Sequence, residues 1–99
     1  MQTFVIRRRS AWKSPAELEQ TAARSAQVGD EEMSDEIRWI RSYVVQDEDS
    51  LGTVCIYQAV SEDALRDHAK RVGMPADEIT LVADTVIVRP DPEGAAATA

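Results

Sequence analysis

The chain has 99 residues, of which 43% are hydrophobic and 29% are charged, and its formal net charge is −7. This composition is typical of one globular domain, and the acidic balance disfavours nucleic-acid binding. No apolar run approaches the length of a membrane span or a signal segment, and the single cysteine excludes an internal disulfide. We therefore expect a cytoplasmic protein that binds no membrane.

The segment TFVIRR predicts the first strand, because Phe4 and Ile6 fall on one face and Val5 on the other. The three arginines at positions 7–9 are interpreted as strand-end charges that can answer the acidic stretch 30–36. They are not expected to bind nucleic acid, since the chain is acidic overall.

The next segment carries the clearest local signal in the chain. Ser14 predicts an N-cap, Pro15 the first helical position and Glu17 a capping box, so a helix should begin here and end near Gly29. The segment 30–36 is too charged for a buried element and is predicted to be a solvated loop.

Two alternating runs, IRWIRSYVVQ and TVCIYQA, are separated by the turn-like DEDSLG and predict an antiparallel hairpin. Strict alternation places Trp39, Arg41 and Tyr43 on one face of the first run, and Ile40 and Val44 on the other.

A second helix is predicted from an N-cap at Ser61 to a left-handed stop at Gly73. Residues 77–89 then predict a long fourth strand, and residues 90–99 predict a flexible tail. Residues 1–89 should therefore form a single domain.

The resulting order, βαββαβ, predicts an α+β, ferredoxin-like fold: a four-stranded antiparallel sheet with two helices on one face. The hairpin carries large apolar side chains on both faces, and the helices leave one face open. Because an exposed apolar patch usually marks an interaction site, we predict a homodimer through the open face or through the edge of the long strand.

His68 is the only histidine and falls with Leu65, Ala69 and Val72 on the packed face of the second helix. A packing role is the favoured interpretation, and a ligand or general base is the alternative. A closed zinc site within one chain is excluded because it needs about four Cys or His ligands. An open nickel or copper site made of His68, carboxylates and water is not excluded.

Other residues that can line a ligand pocket lie on the hairpin. Arg41, between two aromatic side chains, can hold an anionic ligand or pair with an acid across an interface. Cys55 is interpreted as a small buried hydrophobe, since no local base or positive group accompanies it. The candidate pocket residues are Trp39, Arg41, Tyr43, Tyr57 and His68, and the candidate metal ligand is His68.

The segments IRWIRSYVV and TVCIYQAVSEDALRDHAKRVGMPADEI, with the strand after them, resemble a family of small bacterial ferredoxin-like proteins of unknown function. That family includes an actinobacterial nickel-binding protein. The aromatic strand, the C-x-Y-x-A strand and the helix that ends in G-M-P are the most specific parts of the resemblance. It implies a ferredoxin-like dimer that binds nickel or another transition metal, with His68 as the one ligand carried over.

Three functions are compatible with the sequence. The favoured one is a non-enzymatic dimer that binds a nickel-type metal ion or a small ligand. The alternative is a small-molecule enzyme with a pocket between sheet and helices, in which His68 is the general base and Arg41 holds an anionic substrate. The third is an interaction module whose aromatic strand face is only a partner surface. The sequence assigns no catalytic residue.

Overall fold

The structure is a computed structural model, and it describes residues 1–76 and 78–90. Its elements are β1 (Gln2–Trp12), α1 (Pro15–Glu31), β2 (Ile37–Asp47), β3 (Ser50–Ala59), α2 (Glu62–Val72) and β4 (Glu78–Leu81). The strands form one antiparallel sheet in the order β2-β3-β1-β4. This topology confirms the ferredoxin-like prediction. The predicted tail, residues 90–99, lies outside the described residues except for its first.

Both helices begin where the sequence predicts. The Ser14 hydroxyl accepts a hydrogen bond from the Glu17 N–H at 3.3 Å, and the Ser61 hydroxyl accepts one from the Ala64 N–H at 3.1 Å. The second helix ends at Gly73, whose φ of 88° lies in the left-handed region that glycine tolerates. Across the described residues, neither helix is long and apolar enough to cross a membrane.

The hydrophobic core lies between the two helices and one face of the sheet. Its strand residues are Phe4, Ile6, Ile37, Cys55, Tyr57 and Ala59, and its helical residues include Val28, Ala64 and Leu65. Because alternate residues of a strand point to the same face, this pattern identifies which other strand residues face the helices. Arg8 and Thr53 continue it on β1 and β3, and both are buried.

A β-bulge in β2 changes which residues share a face of the sheet. Trp39 and Arg41 pair with successive residues of β3, so Ile40 is an extra residue between them. The alternation therefore shifts by one position at the bulge. The prediction that Trp39, Arg41 and Tyr43 share a face is wrong. The register places Trp39 on the helix-covered face, and Arg41 and Tyr43 on the opposite, open face.

The fourth strand is much shorter than predicted. β4 ends at Leu81, although the Val82 N–H still donates to the Thr3 carbonyl at 2.9 Å. β1 begins at Gln2, so it offers almost no further backbone groups with which residues 83–89 can pair. The prediction of one long fourth strand is therefore wrong, because β1 does not extend far enough to pair with residues 83–89.

Residues 82–90 instead run along the open face of the sheet. They border a cleft of about 1170 Å³ together with Val5, Arg41 and Ile56. Three consecutive apolar residues of this segment, 86–88, are between 78% and 86% exposed. The open side of the molecule therefore presents an apolar surface that belongs partly to the sheet and partly to this segment.

The three consecutive arginines do not end a strand, because β1 continues to Trp12. Arg7 and Arg9 form ion pairs with acids of β2 and β4, and neither pairs with the acidic stretch 30–36. Arg8 points to the helix-covered face and is only 2% exposed. The interpretation of these arginines as strand-end charges is therefore wrong.

Candidate ligand-binding site

His68 lies buried between α2, α1 and the sheet. Its Nε2 is 3.0 Å from the Ser25 carbonyl oxygen, which can only accept, so Nε2 carries a proton and donates it. Its Nδ1 is buried and has no hydrogen-bond partner within the described structure. Burial lowers the pKa of His68, although the Ser25 carbonyl acts in the opposite direction. His68 is therefore a neutral imidazole with an unpaired Nδ1 lone pair.

Two aromatic rings lie next to this histidine. The His68 ring is 5.8 Å from the Tyr57 ring and tilted by 57°, and Tyr57 stacks on Trp39 at 6.1 Å with an interplanar angle of 10°. The Tyr57 hydroxyl lies 3.3 Å from the Ser25 hydroxyl, and burial raises the pKa of Tyr57. Trp39, Tyr57 and His68, three of the five predicted pocket residues, are thus brought together.

A cleft of about 410 Å³ opens beside these rings, and we call it the His68 cleft. It lies between α1 and the start of β2 and is lined by Ser25, Ala26, Gly29, Asp30, Ser34, Ile37, Arg38, Trp39 and His68. Arg41 and Tyr43, the other two predicted pocket residues, line the cleft on the open face, and Arg41 also borders a second cleft on the helix-covered face. The bulge at Ile40 places Arg41 and Tyr43 on the other side of the strand from Trp39.

The most unusual group on the helix-covered face is Arg8. Its Nε donates to the Pro75 carbonyl at 2.6 Å, and its Nη1 donates to the Cys55 sulfur at 3.4 Å. Its Nη2 is buried with no hydrogen-bond partner, and so is the hydroxyl of Thr53, the residue paired with Arg8 on β3. Within residues 1–76 and 78–90, no carboxylate pairs with Arg8, although a guanidinium is always charged.

The neighbouring arginines show what Arg8 lacks. Arg7 Nη2 lies 2.6 Å from Asp47, and Arg9 Nε lies 2.6 Å from Glu78. Each of these charges has an acid and some contact with solvent. Alternation along β1 turns Arg8 the other way, into the layer of Ile6, where a charge without a carboxylate is costly.

A second cleft, of about 370 Å³, borders Arg8, and we call it the Arg8 cleft. Its lining is mostly apolar and includes Trp12, Leu18, Ala22, Trp39, Ile40, Val44 and Met74, with Arg8, Thr53 and Cys55 at its buried end. A largely apolar cavity with a few polar groups at fixed positions is the usual form of a small-molecule site, and its volume falls within the usual range of roughly 300–1,000 Å³.

The backbone that carries Arg8 is held by a close approach of two strands. Arg7 Nη1 donates to the Arg8 carbonyl at 2.7 Å and to the Thr53 carbonyl at 3.3 Å. A Cβ at Gly52 would collide with the Arg8 carbonyl and with the Asp47 carboxylate, so this position requires glycine. The backbone of Arg8 is therefore held in place by the contacts between the strands.

Cys55 is buried, as predicted, but its surroundings are more polar than the sequence indicated. The Ser42 hydroxyl donates to its sulfur at 2.9 Å and itself accepts from the Trp39 ring nitrogen at 2.7 Å. Arg8 contacts the same sulfur. Arg8, on the adjacent strand, is therefore a positive group next to Cys55 that the local sequence did not indicate.

Sequence reasoning missed Arg8, although the signal that identifies it is simple. Phe4 and Ile6 were assigned to one face by alternation, and Arg8 is the next residue of that series. The strong expectation that arginine is exposed outweighed the period of the strand.

A metal ion is poorly accommodated by the described residues. An imidazole nitrogen suits nickel, but nowhere in residues 1–76 or 78–90 do three or more His, Cys, Asp or Glu side chains gather where they could hold an ion. His68 Nδ1 is a single donor inside a packed layer. The described residues of one chain do not form a complete nickel site.

Comparison with known proteins identifies the family. The family described as nickel responsive protein SCO4226-like matches residues 4–82, which is most of the chain. The chain belongs to this family. The match confirms the resemblance noted in the sequence and connects the chain with a group of proteins named for a response to nickel.

A solved structure of an SCO4226-like protein supports the fold. The crystal structure of SCO4226 from Streptomyces coelicolor A3(2) is similar with a TM-score of 0.69, and the similarity covers 85% of this chain and 99% of that chain. The two sequences are 19% identical, so the likeness concerns the fold alone. A search of curated proteins gave no match.

Proposed function

We propose that this protein is a non-enzymatic, dimeric binding protein of the cytoplasm whose ligand is a nickel-type metal ion or a small molecule. One observation carries the proposal. Three buried polar atoms lack partners within the described residues, His68 Nδ1, Arg8 Nη2 and Thr53 Oγ1, and all three residues border a cleft on the helix-covered face. Such groups cost about 1–3 kcal/mol each, and native proteins keep few of them.

Family membership supports the nickel part of this proposal. His68 is the candidate ligand because its neutral imidazole has a lone pair to offer, and nickel favours such a donor. The remaining donors would come from outside the described residues of one chain. The small-molecule part has the stronger support from geometry, because the Arg8 cleft is already lined and shaped.

The alternative function, an enzyme with His68 as general base and Arg41 as anchor for an anionic substrate, has less support from the geometry. The bulge at Ile40 directs Arg41 to the opposite face of the sheet from the His68 ring. A base and an anchor for one substrate must both contact it, and this arrangement gives the enzyme less support than the binding protein.

The proposed dimer is supported by the apolar surface on the open side of the sheet. Tyr43 is 53% exposed there, and residues 86–88 are almost uncovered. Contiguous exposed apolar residues are typical of interaction sites, and a two-fold axis would bring the same patch of two copies together.

Calorimetric titration of untagged protein with nickel, copper and zinc tests the metal-binding half, with the mass in solution measured by light scattering. We expect nickel binding that is lost in His68→Ala and kept in Lys70→Ala, an exposed position on the same helix. We expect a mass about twice the 10.9 kDa of the chain. If none of the metals gives heat, the protein does not bind a metal ion. If nickel binds His68→Ala as it binds the wild type, His68 is not a ligand. A mass of 10.9 kDa would contradict the dimer.

A further inference from the structure

Arg8 stands apart because it is buried and no carboxylate among the described residues pairs with its charge. The side chain is 2% exposed, and two of its three nitrogens donate to a carbonyl oxygen and to a thiol sulfur. The guanidinium also acts to lower the pKa of the neighbouring Tyr57, against the larger effect of burial, but none of these partners is an anion. Its Nη2 lacks a partner, and Thr53 beside it on β3, 3% exposed, also has an unpaired hydroxyl. Two donors of this kind on adjacent strands form the polar end of a site for an anion.

The rest of the Arg8 cleft determines which anion fits. Leu18 and Ala22 of α1 form one wall, and Trp39 and Val44 of β2 form the other. The walls are mostly apolar, although Glu19, Thr21 and Arg41 also line the cleft, so they favour a ligand with a hydrocarbon body and disfavour a strongly hydrated ion such as phosphate. Planar guanidinium groups match the geometry of a carboxylate.

We propose that the Arg8 cleft binds a small amphipathic carboxylate, with the carboxylate on Arg8 Nη2 and the Thr53 hydroxyl and the apolar body between α1 and β2. This inference rests on the proposed function, since it names the small molecule that the binding protein holds. Neither donor is accessible to solvent in this structure, so the ligand must displace side chains at the rim. Trp39 and Val44, 38% and 54% exposed, lie at that rim.

The binding energy would come from both ends of the ligand. The carboxylate gives the buried guanidinium the opposite charge that the described residues do not supply, and a hydrogen bond between two charged groups is stronger than a neutral one. The apolar body leaves water for the walls of the cleft. An alcohol of the same chain length keeps only the second contribution.

Calorimetric titration of the untagged protein with octanoate, octanol and inorganic phosphate at pH 7 tests the proposal. We expect octanoate to bind one molecule per chain, octanol to bind at least about ten-fold more weakly, and phosphate to give no binding. Equal affinity for octanoate and octanol would overturn the proposal, because the charge would then have no role. Binding of phosphate in place of octanoate would overturn the ligand class.

Variants locate the binding on Arg8. Arg8→Met should weaken octanoate binding roughly 10- to 100-fold and leave octanol binding unchanged, and Thr53→Val should have a smaller effect. Arg9→Met, which removes an exposed arginine of the same strand, is the matched control and should change nothing. Full octanoate affinity in Arg8→Met would overturn the proposal.

A cleft-filling variant covers the case in which Arg8→Met does not fold. Ala22→Phe keeps Arg8 and fills the cleft from α1, so it should abolish binding of both octanoate and octanol. Octanoate binding that survives in Ala22→Phe would contradict the site. The nickel titration distinguishes this proposal from the proposed function. If nickel binds and octanoate does not, the protein is still a binding protein but the carboxylate ligand is rejected. If neither binds, the proposed function is rejected as well.

Discussion

The two clefts on the helix-covered face contain buried polar groups of different kinds. At His68 the imidazole is neutral, makes one hydrogen bond and leaves one lone pair unused. At Arg8 the buried group is a cation without a carboxylate among the described residues, and an ion taken out of water in this way costs several kcal/mol. The two residues are equally buried but affect stability differently. His68 can stabilise the fold by packing alone, whereas the buried charge of Arg8 lowers the stability of the ligand-free protein.

The largest expected effect is the loss of packing at His68. His68→Ala removes a ring that fills the space between Tyr57 and α1, so we expect the free energy of unfolding to fall by about 2–4 kcal/mol. Chemical denaturation followed by circular dichroism measures this change. A loss below about 0.5 kcal/mol would mean that His68 does not support the core, and the contrast between the two clefts would then fail.

Replacement of Arg8 should have a smaller effect of the opposite sign. Arg8→Met exchanges an unpaired buried cation for an apolar side chain of similar length, and we expect the free energy of unfolding to rise by about 1 kcal/mol despite the lost bond to Pro75. The same denaturation experiment measures it, with Arg9→Met as the control, which removes only an exposed ion pair and should lower stability slightly rather than raise it. A clear loss of stability in Arg8→Met would show that Arg8 is structural, and the comparison would be reversed.

The smallest expected effect concerns pH. Burial lowers the pKa of His68 in the folded state below its ordinary value of 6.5, so between these two values the unfolded chain binds more protons than the folded one. Stability contributed by neutral His68 is therefore complete above pH 6.5 and falls as the pH drops below it. His68→Gln cannot titrate and should lose this dependence.

The effect of His68 is the difference in denaturation midpoint between the wild type and His68→Gln at each pH. Arg7 lowers the pKa of Asp47 and Arg9 lowers that of Glu78, so these acids reduce stability only at more acidic pH, below their ordinary values of 3.8 and 4.5. Denaturation midpoints of wild type and His68→Gln should therefore diverge as the pH falls below 6.5. Parallel curves below that pH would contradict a buried neutral His68.

Much of the fold was predictable because local signals agreed with each other. Ser14, Pro15 and Ser61 mark the starts of both helices, Gly73 marks the end of the second, and the element order determines the topology. The length of β4 was not predictable in the same way. Residues 83–89 have strand-like composition, but a strand also needs a partner, and β1 starts at Gln2.

The candidate site was harder to predict because it depends on two departures from simple rules. No glycine or proline marks the bulge at Ile40, so alternation assigned Arg41 and Tyr43 to the wrong face. Burial of Arg8 follows from the period of β1, but it contradicts the usual exposure of arginine. Trp39, Tyr57 and His68 are all candidate pocket residues in the sequence, and only the structure shows that the Tyr57 ring lies between the other two.

The measurement that tests the central claim most directly is an experimental structure of the protein with octanoate. The account predicts the carboxylate within hydrogen-bond distance of Arg8 Nη2 and the Thr53 hydroxyl, with the hydrocarbon chain against Leu18 and Val44. Octanoate bound elsewhere, or a structure in which Arg8 keeps its unpaired Nη2 at saturating octanoate, would contradict the claim that this arginine is buried in order to bind a carboxylate.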